Sequence, residues 1–231
     1  MKNIFRFGLT TIGIMFLFSA FAVPETKAQN LVGEILQRMD GHYKALKSLR
    51  ANISREQYNS QLDETDKYKG KISLLPGKGR NFSFRLDWTT PAKESIAVVN
   101  GEYVAYKVST KTAYKGSSDS KTVNDKGGNV LKILSMSKEE IKANYDVQYI
   151  GEEKVSGSTP TWHLKLVPKT KTSYRFSELW VDGNGMPIMG RVTMSNDDTD
   201  TALISGLEKN IKLKAAIFTI DLPKGTQIIL G

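Results

Sequence analysis

The sequence predicts a mainly β protein with some α-helix: a single strongly curved, incompletely closed antiparallel β-barrel or sheet, covered by an N-terminal helix and short lid helices. Three observations lead to this prediction: an amphipathic helical segment near the start, a long series of alternating apolar segments after it, and strong turn signals between those segments. No linker or internal repeat interrupts the series, so we expect one domain. A sheet of about ten strands must bury one face, and the helices are the available cover.

The first 28 residues are predicted to be a secretory signal peptide. Lys2 and Arg6 precede a short apolar run, and small residues suit cleavage either after Ala22 or, as we favour, after Ala28. An uncleaved membrane anchor is the alternative, but the run is shorter than the roughly 20 residues that a span requires. We therefore expect export to the periplasm and a mature domain at residues 29–231.

The first element of that domain is predicted to be a helix over Leu31–Leu49. Leu31, Ile35 and Met39 repeat at intervals of four residues, and Leu36 widens the same apolar stripe. Leu36 and Met39 of this helix are expected to contribute to the lining of an apolar cavity or core.

Aromatic residues dominate the middle of the chain. Phe82, Phe84, Leu86 and Trp88 alternate as in a half-buried strand, which Pro91 ends. Asn100-Gly101 then joins two further apolar runs, and such a pair favours a type I′ hairpin because both residues accept positive φ. We predict that these strands contribute the lining of an apolar cavity or core: Phe82, Phe84, Leu86, Trp88, Tyr103 and Tyr106.

The second half of the chain repeats the strand pattern after a polar loop at residues 116–128. Ser137 and Glu140 form a capping box that starts a short helix, Lys138–Asn144. Alternating strands follow, with a strong turn at 182–185, and the last strands are predicted at 201–213 and 218–222.

The sequence offers little catalytic or metal-binding chemistry. His42 and His163 are the only histidines, and neither has an acid or a metal-spaced partner close by in the sequence. Asn196 to Asp200 has the alternating oxygens of a calcium loop but lacks its turn glycine, so an acidic hairpin tip is the better interpretation. We expect no enzyme activity, no cofactor and no metal.

Net charge and cysteine content limit the classes of binding partner and the covalent attachments that we expect. The net charge of +9 is scattered along the chain, which fits either simple solubility or attraction to an anionic membrane or an acidic partner. Nucleic acid is not expected, because no dense basic cluster is present. There is no cysteine, so the chain has neither disulfides nor a lipid anchor attached through cysteine.

Several segments, taken in order, resemble the periplasmic outer-membrane lipoprotein carrier proteins of the LolA family. They are F-R-L-D-W-T-T-P at 84–91, V-V-N-G-E-Y-V-A-Y at 98–106, L-W-V-D followed by G-M-P at 179–187, and F-T-I-D-L-P-K-G-T-Q-I-I at 218–229. The resemblance covers most of the mature chain and implies an open, strongly curved antiparallel sheet with helices closing its mouth.

The resemblance also implies a function. Such a chaperone binds the acyl chains of lipoproteins, receives them from an inner-membrane lipoprotein-releasing ABC complex and delivers them to an outer-membrane lipoprotein acceptor. We expect it to work as a monomer. A lipid-sensing or lipoprotein-sensing regulatory protein of the same fold is the alternative, and a hydrolase of envelope polymers is disfavoured because no nucleophile–base pair is evident.

One residue role is implied by the resemblance alone. The family carries an Arg shortly before the Pro of the first segment, where it helps to hold the lid closed, and Arg85 stands at the matching position. The period of two places Arg85 opposite Phe84 and Leu86, so either Arg85 or the aromatic row faces the cavity, unless a bulge lets both do so.

Overall fold

The computed structural model of the chain describes residues 25–77, 82–117 and 136–230. Most of the predicted signal peptide and most of the predicted polar loop lie outside these residues. The described helices are α1 (Glu25–Ala45), α2 (Lys138–Asn144) and one 3-10 helix (Ala215–Phe218). The described strands are β1 (Leu49–Asn59), β2 (Glu64–Pro76), β3 (Phe82–Thr90), β4 (Glu94–Val99), β5 (Glu102–Lys107), β6 (Thr112–Ser117), β7 (Tyr145–Val155), β8 (Thr159–Pro168), β9 (Tyr174–Asp182), β10 (Pro187–Met194), β11 (Thr199–Lys209) and β12 (Gln227–Leu230).

These strands form one sheet in the order β12-β6-β5-β4-β3-β2-β1-β11-β10-β9-β8-β7. Two antiparallel meanders, β1 to β6 and β7 to β11, join where β1 pairs with β11, and β12 adds a parallel strand at the β6 edge. The sheet is curved and does not close into a barrel, so the predicted fold class is confirmed.

The predicted hairpins are present where the turn residues required them. Asn100 and Gly101 both have positive φ, 53° and 81°, as a type I′ turn demands. In the second turn the Asp182 carboxylate accepts hydrogen bonds from the backbone N–H groups of Asn184 and Met186, at 2.9 and 2.8 Å. The capping box at Ser137 and Glu140 also forms and starts α2.

Three predicted elements differ from the structure, one of them the strand predicted at 201–213, which is observed as β11, Thr199–Lys209. The first helix spans Glu25–Ala45 rather than 31–49, because Leu49 alternates with Ala51 and Ile53 and begins a strand whose buried face they form. Residues 218–222 are not a strand: a 3-10 helix ends at Phe218, and the last strand comes later, at Gln227.

The sheet has an inner face, on which α1 packs near β7 and the β9–β10 turn, and an outer face. The inner face carries the main hydrophobic cluster, and α1 adds Ile35, Leu36 and Met39 to it, each at most 5% exposed. Strands β1 to β5 and β8 to β11 contribute fully or nearly fully buried side chains to the same cluster: Ile53, Ile72, Leu86, Val98, Ala105, Leu164, Leu179, Val192 and Ala202.

Helix α1 rests directly on the backbone of the β9–β10 turn. Gly185 has φ 84°, and a Cβ at this position would lie 2.3 Å from the carbonyl oxygen of Arg38. The Arg38 guanidinium also donates to the carbonyl of Gly183, at 3.3 Å, and lies 5.3 Å from the ring centroid of Trp162. Only glycine permits this approach of helix and turn.

We expect Gly185→Ala to lower the free energy of unfolding by about 1–3 kcal/mol and to lift α1 from the sheet, because the left-handed backbone and the collision both oppose a side chain. Thermal unfolding and hydrogen exchange of the α1 amides would measure the two effects.

The matched control is Gly183→Ala in the same turn, where a Cβ would meet no atom of the described residues within 4 Å. Equal hydrogen-exchange protection of the α1 amides in the two variants would contradict the proposed packing of α1 on Gly185.

Candidate functional site

The inner face of the sheet is a broad apolar surface, and the predicted aromatic strand is part of it. The register places Leu74, Phe84, Val98 and Tyr103 in one row across β2 to β5. Leu86 and Trp88 lie further along the same face of β3 and are 0% and 6% exposed. Six predicted lining residues therefore share the inner face or cover it: Phe84, Leu86, Trp88 and Tyr103 from the sheet, and Leu36 and Met39 from α1.

Apolar side chains at the margin of this surface are only partly covered. Phe82 begins β3 and remains 41% exposed, and Phe84 is half-buried. Other half-buried side chains packed against the core are spread over both meanders and α1: Leu31, Val32, Leu74, Tyr114, Val147, Tyr149 and Trp162.

Two predicted site residues lie on the outer face instead. Tyr106 pairs with Ser95 and Ala113, one position away from the inward row of Ala105. Arg85 likewise alternates with Phe84 and Leu86, and no bulge interrupts β3 at that point. Of the two arrangements left open by the period of two, the structure therefore has the aromatic row inward and Arg85 outward.

Arg85 binds the C-terminal segment through hydrogen bonds. Its Nη1 donates to the carbonyl oxygens of Ile217 and Thr219, at 2.8 and 2.9 Å, and its Nε donates to Asp87, at 2.8 Å. Ser95 donates to the same carboxylate. Arg85 thus fastens the 3-10 helix to the outer face of β3. These contacts do not involve a lid, so the lid-closing role of Arg85 remains a prediction.

The inner face also contains polar groups. Arg55 and Asp200 form a two-bond ion pair, with Nε–Oδ1 at 2.7 Å and Nη2–Oδ2 at 2.8 Å, and their side chains are 7% and 5% exposed. The guanidinium also lies 5.8 Å from the ring centroid of Tyr68, which in turn meets Trp88. Because β1 and β11 supply the partners, this pair ties the two meanders together.

Two hydroxyl groups on the same face are buried without a partner. The Tyr103 hydroxyl and the Ser177 Oγ have no hydrogen-bond partner among the described residues, and the two residues are 1% and 0% exposed. Tyr103 belongs to the first meander and Ser177 to the second, where it pairs with Leu166 and Val192. Each half of the apolar surface thus holds one buried hydroxyl.

On the outer face of the second meander, His163 bridges two carboxylates. Nδ1 lies 2.8 Å from Oε1 of Glu153, and Nε2 lies 3.0 Å from Oε1 of Glu178. The ring stacks on Trp180 at a centroid distance of 4.1 Å, and the Trp180 indole donates to Glu153. Since both ring nitrogens face carboxylate oxygens, the arrangement requires a doubly protonated imidazolium.

The pKa values follow from this geometry. Burial alone lowers the pKa of His163, but its hydrogen bonds to Glu178 and Glu153 outweigh burial, so the pKa is raised above its ordinary value. The hydrogen bond from Trp180 is the main cause that lowers the pKa of Glu153. No local pattern in the sequence indicated this cluster, because its carboxylates come from neighbouring strands ten and fifteen residues away.

Two open clefts, of about 280 and 340 Å³, border the described residues, and polar side chains line most of each. Neither is the predicted apolar site. The first includes Gln57, Asp66, Asp198 and Asp200; the second includes Asn52, Lys69, Lys71 and Ser205. Within the described part of the chain, no group of three or more acidic or histidine side chains is placed to hold a metal ion. No helix there is long and apolar enough to span a membrane.

Comparison with known proteins assigns the family. The family model described as outer membrane lipoprotein carrier protein LolA matches residues 44–221, well over half of the chain. The protein is therefore a curved-sheet, LolA-fold protein, and the chain belongs to the LolA family. No curated protein matches the chain.

Solved structures show the same fold at low identity. An uncharacterized conserved protein from Thermus thermophilus superposes with a TM-score of 0.57 at 13% identity, covering 87% of this chain and 99% of that one. MucB gives 0.57 at 13% identity, over 83% of this chain and 63% of MucB. The Pseudomonas aeruginosa MucA/MucB complex gives 0.52 at 15% identity, over 81% of this chain and 60% of the other. At these identities the likeness concerns the fold alone.

We expect Arg85→Ala to destabilise the protein by about 1–3 kcal/mol, because two backbone carbonyls and the Asp87 carboxylate lose a charged donor. Urea unfolding would measure this loss, and limited proteolysis within residues 210–226 would report release of the C-terminal segment.

Arg50→Ala is the control for Arg85. Arg50 is an outer-face residue whose guanidinium lies 3.6 Å from Glu208 with a side chain that is 44% exposed. Its removal is expected to change stability by less than about 0.5 kcal/mol. A stable Arg85→Ala variant with an uncut C-terminal segment would contradict the fastening role.

The His163 bridge predicts a pH dependence of stability. Its folded pKa is raised, so its contribution is complete below the unfolded value of about 6.5 and is lost as the pH rises through the folded pKa. The difference in unfolding free energy between the wild type and His163→Gln should therefore be largest below about pH 6.5 and shrink as the pH rises above it.

For His42→Gln we expect a pH dependence of the unfolding free energy with the opposite sign. Burial and the nearby charge of Lys209 lower the pKa of His42, so its contribution is lost as the pH falls through that lowered pKa. A His163→Gln difference that is constant over this pH range would show that the bridge does not require the imidazolium.

Proposed function

We propose that this protein is a periplasmic chaperone that shelters the acyl chains of lipoproteins and carries them from the inner to the outer membrane. The observation that carries the proposal is the inner face of the sheet, an apolar surface contributed by strands of both meanders and covered by a separate helix. Membership of the LolA family supports it. The proposal includes a signal peptide at residues 1–28 and a mature carrier domain at 29–231.

Helix α1 packs on the inner face of the sheet, which is the surface that an acyl chain would occupy. Ile35 and Leu36 are 0% and 1% exposed against the sheet, so hydrocarbon can bind there only by replacing them. An acyl chain gains about 0.8 kcal/mol for each CH₂ removed from water, which drives the replacement. Returning α1 to the sheet then favours release, so the empty protein need not expose its apolar surface.

The attachments of α1 suit such a replacement. Beyond its apolar contacts, the helix is tied to the described residues by Arg38 to the carbonyl of Gly183 and by Lys138 of α2 to Gln37. Exposed polar contacts of this kind contribute little to stability. The apolar contacts dominate, and they are of the kind that an acyl chain supplies in their place.

In the proposed cycle the protein acts as a monomer without a cofactor. It receives lipoproteins from the inner-membrane ABC complex that releases them and passes them to the outer-membrane acceptor, through interactions with their acyl chains. Removal of residues 1–28, which carry Lys2, Arg6, Lys27 and Glu25, leaves a net charge of +7, and this favours encounters with anionic membrane surfaces on either side.

A second candidate is a regulatory sensor that binds the same acyl chains. It is favoured by the fold shared with MucB, a protein whose structure is also known in complex with MucA. Affinity capture from native envelopes would separate the two: a carrier brings down an outer-membrane acceptor, whereas a sensor brings down a membrane-anchored signalling protein. Depletion that strands lipoproteins in the inner membrane would favour the carrier.

We expect delipidated protein to bind a fluorescent fatty acid and a triacylated lipoprotein saturably, and Phe84→Asp to weaken both at least tenfold. A carboxylate on the inner face lowers the gain of burying hydrocarbon there. Fluorescence titration and co-purification of the lipoprotein would measure the change.

Phe176→Asp is the matched control. Phe176 is also half-buried but lies on the outer face, where Lys165 and Arg175 approach its ring at 4.1 and 5.5 Å. Its substitution should leave lipid affinity unchanged. Absence of saturable binding by the wild type, or equal effects of the two substitutions, would refute acyl-chain binding on the inner face.

A further inference from the structure

The Tyr103 hydroxyl is the least expected group on the inner face. The residue is 1% exposed, and its hydroxyl has no hydrogen-bond partner among the described residues. Its cross-strand neighbours are Val98 and Gly116, and Phe84 follows Val98 in the same row. Within the described part of the chain, the hydroxyl thus belongs to a largely apolar row of side chains and has no acceptor.

Such a group is costly to the empty protein. A buried hydroxyl without a partner loses its hydrogen bonds to water and gains none in return, and buried polar groups are therefore nearly always paired. A phenylalanine would fill almost the same volume without that loss. An acceptor that meets the hydroxyl in another state of the protein, such as a bound ligand, would recover this cost.

Ser177 repeats the feature in the other meander. It is 0% exposed between Leu166 and Val192, and its Oγ also has no partner among the described residues. The two buried donors stand in contrast to Arg55 and Asp200 on the same face, whose polar atoms satisfy each other. A polar group on this face is therefore not in itself unusual; an unpaired one is.

We propose that Tyr103, with Ser177 as a second donor, recognises carbonyl oxygens carried by the ligand within the apolar site, so that the site selects ester-linked acyl chains over plain hydrocarbon. This inference rests on the proposed function, because it requires a ligand on the inner face. A hydroxyl donates readily to an ester carbonyl, whereas the ether counterpart has no oxygen at the position of that carbonyl and a methylene offers no acceptor. The donor thereby contributes specificity, and the apolar surface contributes affinity.

The test compares two ligands of equal chain length, a diacylglycerol and its dialkyl ether counterpart, each displacing a fluorescent fatty acid from the delipidated full chain. The wild type should favour the ester by roughly fivefold to tenfold, as one net hydrogen bond implies. Tyr103→Phe should lose most of this preference while its affinity for the ether is unchanged, and Ser177→Ala should reduce the preference separately.

Tyr106→Phe is the matched control, because Tyr106 lies on the same strand but on the outer face and should keep the wild-type preference. A second readout uses ligand-free protein: Tyr103→Phe should raise the melting temperature, since it removes an unpaired buried hydroxyl. A lower melting temperature would mean that the hydroxyl already has a partner, such as a buried water, and would overturn the inference.

The outcomes separate the two proposals. If the wild type binds ester and ether equally, or Tyr103→Phe keeps the ester preference, carbonyl recognition is wrong and acyl-chain binding stands. If neither ligand displaces the probe and the probe itself does not bind saturably, acyl-chain binding fails, and carbonyl recognition fails with it.

Discussion

The pairing of β1 with β11 is the constraint on which the rest of the structure depends. Every other antiparallel pairing of the described strands joins consecutive strands, and such hairpins form locally. Only the β1–β11 pairing places the two meanders in one sheet. It joins residues about 145 positions apart, and the buried ion pair of Arg55 and Asp200 fixes its register.

Without the β1–β11 pairing, each meander would present its own apolar face. Helix α1 leads into β1 but lies on β7 and α2, so it would then have no continuous surface to cover. The ion pair adds little net stability, but removing one partner would leave a buried charge, so it disfavours misaligned pairings.

In the joined sheet, alternate residues of each strand lie on opposite faces, and the two faces have different roles. Most inward residues form the apolar surface, and the outward residues include polar contacts such as the Glu153–His163–Glu178 bridge and the hydrogen bonds of Arg85 to the C-terminal segment. Substitutions on one face should therefore leave the other intact, since adjacent residues of a strand point in opposite directions. This independence is what makes paired inner-face and outer-face variants informative for a protein of this fold.

Much of this architecture was predictable from local sequence. The Asn100-Gly101 turn, the capping box at Ser137 and the alternation from Phe82 to Trp88 each have a physical cause within a few residues, and all three are confirmed. The partners of Arg85, Arg55 and His163 were not predictable, because strand order and register bring them together from distant segments. Tyr106 shows the same limit at close range. It shares a strand with Tyr103, and three residues of separation on a strand place it on the opposite face, although its aromatic character alone suggested the same lining.

If the protein is a carrier as proposed, the composition of the inner face determines which lipids it would select. A purely apolar surface would bind any hydrocarbon with a strength set by buried area, and α1 would compete with all of them alike. Area alone therefore cannot distinguish a lipoprotein's acyl chains from other lipids. Specificity requires groups whose cost in the empty state is recovered only with the right ligand, which is the general logic of recognition by buried polar groups. Under the proposed carbonyl recognition, the unpaired hydroxyls of Tyr103 and Ser177 would have this property, whereas the mutually satisfied Arg55 and Asp200 would not.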